Sequence, residues 1–185
     1  MKTLLLNGSP HPSGDTAALV AHLFSRFPET HRIHQVDAYT AGIAPCCDCR
    51  YCWKKPGCAI KDGMQQLYPF IESCDNILIA SPVYFSEVTG PVLTLGSRLQ
   101  TYYTGKRFRG ENRLTKPKKG AVLLVGGGDG KPDKAYGTAK TLLRVMGAKE
   151  ILPLAGSFRT DDIPAIEDEA AVQAIKAIAA FFSGK

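Results

Sequence analysis

Five of the chain's six cysteines lie between Cys46 and Cys58, in the stretch CCDCRYCWKKPGC. Cys46, Cys49 and Cys52 recur at every third position, and Cys58 follows a Pro56-Gly57 turn able to fold the chain back. A loop or a single helical turn brings residues at that spacing to one side. Three readings fit such a set. A cubane iron–sulfur cluster takes four thiolates, and C-x2-C-x2-C is the characteristic start of its binding segment. Zinc takes four thiolates tetrahedrally, although its sites more commonly use two separated C-x2-C pairs. The third is a metal-free loop that packs beside a ligand or a neighbouring subunit. Cys47 is surplus to all three. Cys74, where a helix gives way to a strand, reads as a small buried side chain.

Clustered thiols of this kind belong to metal or redox chemistry in a reducing compartment rather than to disulfides. The opening MKTLLLNGSP has too short an apolar core for a signal peptide. No segment approaches the length of a membrane span. The expectation is a cytoplasmic protein with no membrane partner. With 185 residues, 44% hydrophobic and 22% charged, the chain reads as one domain, 1–185, with a cysteine-rich loop at about 40–62. Its net charge of +6 permits anionic ligands. Much of the excess lies between Gly105 and Gly120, where seven Lys and Arg face Glu111 alone. This stretch reads as a solvated basic loop or as a docking surface for a phosphorylated cofactor. Few aromatics interleave with the charges, so nucleic acid is not expected as a partner.

The elements that must position the cysteines alternate in type. KTLLLNG, HRIHQVDA, DNILIASPVY, KGAVLLVGGG and KEILPLA read as strands. TAALVAHLFSRF places Leu19, Leu23 and Phe27 on one helical side. DGMQQLYPFIESC starts a helix at Asp62 that Pro69 kinks or ends early. GPVLTLGSRLQTYY, DKAYGTAKTLLRVMG and the terminal PAIEDEAAVQAIKAIAAFFSGK complete five helices. The fold class is therefore α/β: a doubly wound, five-stranded parallel sheet of flavodoxin-like order 2-1-3-4-5, in three α/β/α layers.

Function in such a fold belongs to the loops that leave the carboxyl ends of the strands. In NGSPHPSGDTAAL, small residues and hydroxyls precede a helix start, a ready anion site; Ser9, Ser13 and Thr16 are candidate donors to a phosphate. The loop is neither a Walker motif nor GxGxxG. In SPVYFSEVTGP, which leaves the strand NILIA, Pro82 stiffens the turn, and Tyr84 and Phe85 are able to wall a flat ligand. In VGGGDG (Val125 to Gly130), Gly126, Gly127 and Gly128 let a backbone approach a planar ring edge. Each loop also has a plain reading, as a helix cap, core aromatics or a loose turn. Together they fit a ligand with a phosphate tail and an aromatic head, such as FMN.

The ordered set GSPHPSGDT, SPVYF and GGG resembles the flavodoxin-like NAD(P)H-dependent FMN reductases. The cysteine run followed by AIKDGM places the chain near that family's iron–sulfur flavoprotein branch. The resemblance implies that the first loop, Ser9, His11, Ser13, Gly14, Asp15 and Thr16, holds the FMN phosphate. It implies that Pro82, Val83, Tyr84, Phe85 and the three glycines hold the isoalloxazine. It implies that Cys46, Cys49, Cys52 and Cys58 ligate a [4Fe-4S] cluster. The family usually has arginine where His11 stands and asparagine where Asp15 stands, so looser FMN binding is expected, tightening as His11 gains a proton.

By the same resemblance, hydride passes from NAD(P)H to the flavin without a protein acid or base, and no catalytic side chain is named. Electrons leave to a quinone, a flavin or another small acceptor. With a cluster on the loop, the protein is instead an electron carrier for a redox protein. A third reading is a non-enzymatic phosphate-binding module, although Asn7 stands where a receiver domain would have acidic residues. A homodimer or homotetramer is expected, with Arg98 to Phe108 as candidate contact surface.

Overall fold

The computed structural model describes residues 1–128 and 130–184. Asp129, inside the glycine loop, and Lys185, at the end of the expected terminal helix, lie outside the described residues. Six strands join one sheet: β1 (Lys2–Asn7), β2 (Arg32–Asp37), β3 (Asn76–Pro82), β4 (Lys118–Val125), β5 (Ala148–Ile151) and β6 (Ala155–Ser157). All pair in parallel in the order β2-β1-β3-β4-β5, the expected order, with β6 also paired to β4. β3 and β4 are buried along almost their whole length, which their unbroken apolar runs require of strands covered on both faces.

Helices α1 (Asp15–Phe24) and α7 (Glu169–Ser183) cover one face, where Leu19, Leu23, Ile175 and Phe182 meet Leu5, Leu78 and Leu123. The other face carries α3 (Met64–Ser73), α4 (Gly90–Ser97), α5 (Gln100–Arg109) and α6 (Asp133–Val145). There Leu67, Ile71, Val92 and Leu143 pack on Leu4, Ile77 and Val122. A short helix α2 (Tyr51–Lys54) sits inside the cysteine loop.

Three local expectations differ from the structure. KEILPLA is two strands, because Pro153 has no N–H to donate to the ladder; β5 ends at Ile151 and pairing resumes at Ala155. The helix expected from Asp62 starts at Met64 and runs through Pro69 to Ser73, with Asp62 Oδ1 accepting the Met64 N–H at 3.0 Å. GPVLTLGSRLQTYY is two helices. Arg98 and Leu99 donate to Leu95 and Gly96, i to i−3 bonds that tighten the chain and turn Arg98 inward.

Candidate functional site

β1, β3 and β4 are adjacent and parallel, so their carboxyl ends share one rim and the three predicted loops leave it side by side. They are joined directly. Gly8 N–H donates to Ala80 O at 2.7 Å, Thr89 Oγ1 donates to Gly8 O at 2.9 Å, and Val83 N–H donates to Val125 O at 2.8 Å. A Cβ at Gly8 would stand 2.5 Å from Val92 Cγ2, so only glycine lets the first loop lie against α4.

In the first loop, Ser9 is buried and its Oγ bridges the N–H and C=O of His11. His11 and Ser13 are exposed, Gly14 is half-buried and Thr16 is buried. α1 starts at Gly14 without a side-chain cap, which leaves the N–H groups of its first turn open to an anion. Asp15 does not face them: its Oδ1 accepts the Ala165 N–H at 2.7 Å, so the carboxylate expected beside the phosphate ties the loop to the segment before α7 instead.

In the second loop, Tyr84 and Glu87 exchange backbone hydrogen bonds around Phe85 and Ser86, whose φ angles are +52° and +60°. Two consecutive left-handed residues make a type I′ turn, normally the place of Asn-Gly. Phe85 is wholly exposed at its tip, and Tyr84 is 43% exposed, while Pro82 and Val83 are half-buried at its base. An aromatic held in a strained turn in water is a feature of binding sites rather than of cores. Glu87 anchors the turn to α6, its Oε2 accepting from Thr138 Oγ1 at 3.0 Å.

At the third loop the close approach is made by the chain itself. A Cβ on Gly127 would fall 2.3 Å from Asp161 Oδ1, and the N–H groups of Thr160 and Asp161 donate to Gly126 O and Gly127 O. Gly126 lies against Phe158, and Gly128 is exposed. This fourth segment, after β6, is absent from the sequence-based expectation; the polar run RTDD that follows β6 is its sequence signal. The chemistry and placement of the three loops fit a phosphate-tailed, ring-headed cofactor.

The cysteines form a second centre. Cys46, Cys47, Cys49, Cys52 and Cys58 line one cavity of about 530 Å³, with Ser97, Thr104 and Phe108 on its far wall. All are free thiols. Among the described residues no three ligating groups gather as around a single ion. Zinc–sulfur bonds of about 2.3 Å would draw its ligands within roughly 4 Å of one another. Four thiolates lining one cavity are the donor set that a cubane, a larger body than a single ion, would take. Cys47, without an assigned role, shares the wall. Cys74 is buried as expected, and burial pushes its thiol up to about 11.

The loop is held by one helical edge. Ser97 Oγ accepts the Cys46 N–H, Thr101 Oγ1 donates to Gly57 O, and Thr104 Oγ1 and Arg109 Nη1 donate to Cys52 O. Arg98, with its side chain wholly buried, donates to Ala44 O at 2.8 Å, to Ile60 O at 3.3 Å and to both oxygens of Asp62. Burial opposes the charge of Asp62, but the Arg98 hydrogen bonds and the N–H groups of Ala44 and Met64 outweigh it and hold the carboxyl below its usual range. The stretch Arg98–Phe108, expected as a subunit contact, is thus partly internal. Tyr102 is buried, and only Tyr103 and Phe108 among its aromatics are exposed, the latter stacked on Trp53.

The basic stretch runs from the last turn of α5, beside the cysteine loop, into the amino end of β4. Arg109 pairs with Glu111, Arg113 with Glu72 and Lys116 with Asp75. Three of its seven cations are thus neutralised locally, and its later part, entering β4 at the amino end, is away from the loop rim.

The strand order and the layers on both faces of the sheet define a flavodoxin-like α/β protein. The chain belongs to the NADPH-dependent FMN reductase family, whose model matches residues 1–161. Its relatives include an iron–sulfur flavoprotein of Archaeoglobus fulgidus, 27% identical over 80% of this chain and 64% of the relative. Another, an iron–sulfur flavoprotein of Methanocaldococcus jannaschii, is 29% identical over 68% of this chain and 62% of the relative. The chain spans just under two thirds of the length of these curated relatives. Among solved structures it resembles Smu.1420 from Streptococcus mutans (TM-score 0.67, 13% identity, all of both chains). It also resembles an NAD(P)H:quinone oxidoreductase from Methanothermobacter marburgensis (TM-score 0.65, 16% identity, 97% and 92% covered). At these identities the structural likeness speaks to fold alone. No helix among the described residues is long and apolar enough to cross a membrane.

Proposed function

We propose that this chain is an FMN-dependent oxidoreductase that takes electrons from NAD(P)H and delivers them to a quinone, a free flavin or another acceptor. The observation that carries this reading is the meeting of the three loops on one rim, with the exposed Phe85 beside them. FMN, when bound, supplies the redox chemistry, accepting a hydride from the nicotinamide and passing electrons on. The open first turn of α1, with Ser9, His11, Ser13 and Gly14 around it, binds the phosphate through backbone N–H groups and hydroxyls. Thr16 supports the loop from beneath. Asp15 keeps its charge out of the phosphate site by serving Ala165. Tyr84 and Phe85 cover the apolar ring and shut water from it, while Pro82 and Val83 keep the turn rigid. Gly126, Gly127 and Gly128 bring backbone to the ring edge, with Asp161 behind them.

The cysteine cavity favours a further element. Cys46, Cys49, Cys52 and Cys58 would hold a [4Fe-4S] cluster, which allows paired electrons to leave one at a time toward a redox protein. A homodimer or homotetramer in the cytoplasm is part of the same reading. Anaerobic purification followed by absorbance spectroscopy, flavin, iron and sulfide analysis and NADPH and NADH oxidation assays tests it. Bound FMN with nicotinamide oxidation is the expected result. A colourless protein that neither binds FMN nor oxidises either nucleotide would falsify the proposal. Flavin without iron or sulfide would remove the cluster alone.

A further inference from the structure

Arg98 is the least expected side chain in the molecule. Its guanidinium is wholly buried, yet it lies on an element the sequence presents as surface. Four of its N–H groups have clear duties. Nη1 donates to Ala44 O and Asp62 Oδ2, and Nη2 donates to Ile60 O and Asp62 Oδ1. These acceptors bracket the cysteine segment: Ala44 precedes Cys46, and Ile60 and Asp62 follow Cys58. One charged group therefore fixes the entry and the exit of the loop. The span between them folds with left-handed bends at Asp48, Arg50 and Gly57, so its shape depends on where those two ends are held.

The fifth donor has no such duty. Arg98 Nε is buried and has no hydrogen-bond partner among the described residues. Buried donors are rarely left so, and an unpartnered one at a site points to a missing acceptor. Cys58 is the cysteine of the set that packs against the core beneath the loop. Nη2 of the same guanidinium already reaches Ile60 O, two residues beyond Cys58. Tyr68 donates its hydroxyl to Arg98 O at 3.1 Å. Arg98 and Tyr68 are thus joined beside the exit of the cysteine segment.

We propose that Arg98 positions and tunes the cluster of the cysteine loop: its Nη groups clamp Ala44, Ile60 and Asp62 so that the four thiols surround one cavity, and its unpartnered Nε–H is a hydrogen-bond donor to sulfur on the Cys58 side. The inference rests on the reading of Cys46, Cys49, Cys52 and Cys58 as cluster ligands. Outer hydrogen bonds of this kind orient ligands, and donors to sulfur raise the reduction potential of a cluster. An ammonium in place of the guanidinium keeps the charge and the Asp62 pair but has no equivalent of Nε–H and cannot reach both loop ends at once.

The test compares the wild-type chain with Arg98→Lys after anaerobic reconstitution with iron and sulfide. Three quantities are read: FMN affinity, the midpoint potential of the cluster, and the rate of iron loss to a chelator. FMN affinity should be unchanged, since the flavin loops do not touch Arg98. The cluster potential should move to more negative values, and iron should leave about ten- to a hundredfold faster, the scale of second-layer changes at metal sites. If Arg98→Lys fails to bind FMN, the paired Arg98→Gln/Asp62→Asn chain, which buries no charge, carries the same comparison. A variant that binds FMN normally and matches the wild-type potential and iron retention overturns the role of Arg98. A wild-type chain that binds FMN but takes up no cluster overturns the cysteine-loop reading and this inference with it.

Discussion

Arg98 Nη1 stands 2.6 Å from Asp62 Oδ2, and Arg98 Nη2 stands 3.1 Å from Asp62 Oδ1, a two-pronged ion pair with the arginine side chain fully enclosed. It joins the turn between α4 and α5 to the start of α3, and the cysteine loop hangs between them. A buried pair is weak evidence of net stability, but breaking one member leaves the other charged and unpaired. Asp62→Asn should therefore destabilise the chain by about 3–5 kcal/mol. Urea unfolding measures it, and a loss below about 1 kcal/mol, the scale of an exposed pair, would mean that the pair is solvated.

The same pair sets an acid limit. The Asp62 carboxyl is held below its usual range in the folded chain, so its contribution is complete above the unfolded-state value of about 3.9 and fades as pH falls through the lower folded value. Asp75, which burial opposes but Lys116 and the Lys2 N–H hold low, behaves alike. The stability gap between wild type and Asp62→Asn should be constant from about pH 7 to pH 5 and shrink below about pH 4. Unfolding free energies across that range check it; a gap that widens in acid has the wrong sign.

Phe85 is held in a strained turn with its ring in water, where the proposed flavin would cover it. Its left-handed backbone costs about 1–3 kcal/mol, and its ring gains no burial within the chain. Phe85→Gly should raise the stability of the flavin-free protein by about 1 kcal/mol and weaken FMN binding at least roughly tenfold. Thermal unfolding without flavin and fluorescence titration with FMN read the two effects. A variant that binds FMN as tightly as wild type would take Phe85 out of the site.

Gly127 and Asp161 should behave as a coupled pair. Gly127→Ala puts a methyl where the Asp161 carboxylate sits, so it should displace the segment after β6 and weaken FMN binding. Gly127→Ala with Asp161→Gly should recover much of the loss. A double-mutant cycle on FMN affinity checks it, and simple additivity would show that the two do not communicate.

In the loop proposed to bind the FMN phosphate, His11 and Asp15 separate charge from position. His11→Arg should tighten FMN binding by about 1 kcal/mol, the scale of an added charge-assisted contact. Asp15→Asn should leave FMN affinity nearly unchanged, because the carboxylate already faces Ala165. Isothermal titration of both variants at one ionic strength decides; a large gain from Asp15→Asn would place that carboxylate near the phosphate after all.

Much of the fold was legible because its signals are local. Apolar runs such as AVLLV and NILIA can only be strands covered on both faces, and their alternation with helices leaves few topologies. The boundaries that moved did so for tertiary reasons. Pro69 is tolerated inside α3 because Leu67 and Ile71 on either side are wholly packed on the sheet. The bend at Arg98 and Leu99 exists because Asp62, 36 residues earlier, draws the guanidinium inward.

The same division runs through the two sites. Sequence alone determined which residues are able to do chemistry: five thiols in one short segment, hydroxyls before a helix, aromatics and glycines at strand ends. Residue type and spacing are properties of the chain, and they limit the chemistry before any packing occurs. Only the tertiary structure decided which way Asp15 faces, that Asp161 fills the space left by Gly127, and that a single helical edge carrying Ser97, Arg98, Thr101 and Thr104 holds the cysteine loop in place. Those are hydrogen bonds and close contacts between residues distant in sequence, and their partners meet only when the sheet has brought its crossings together.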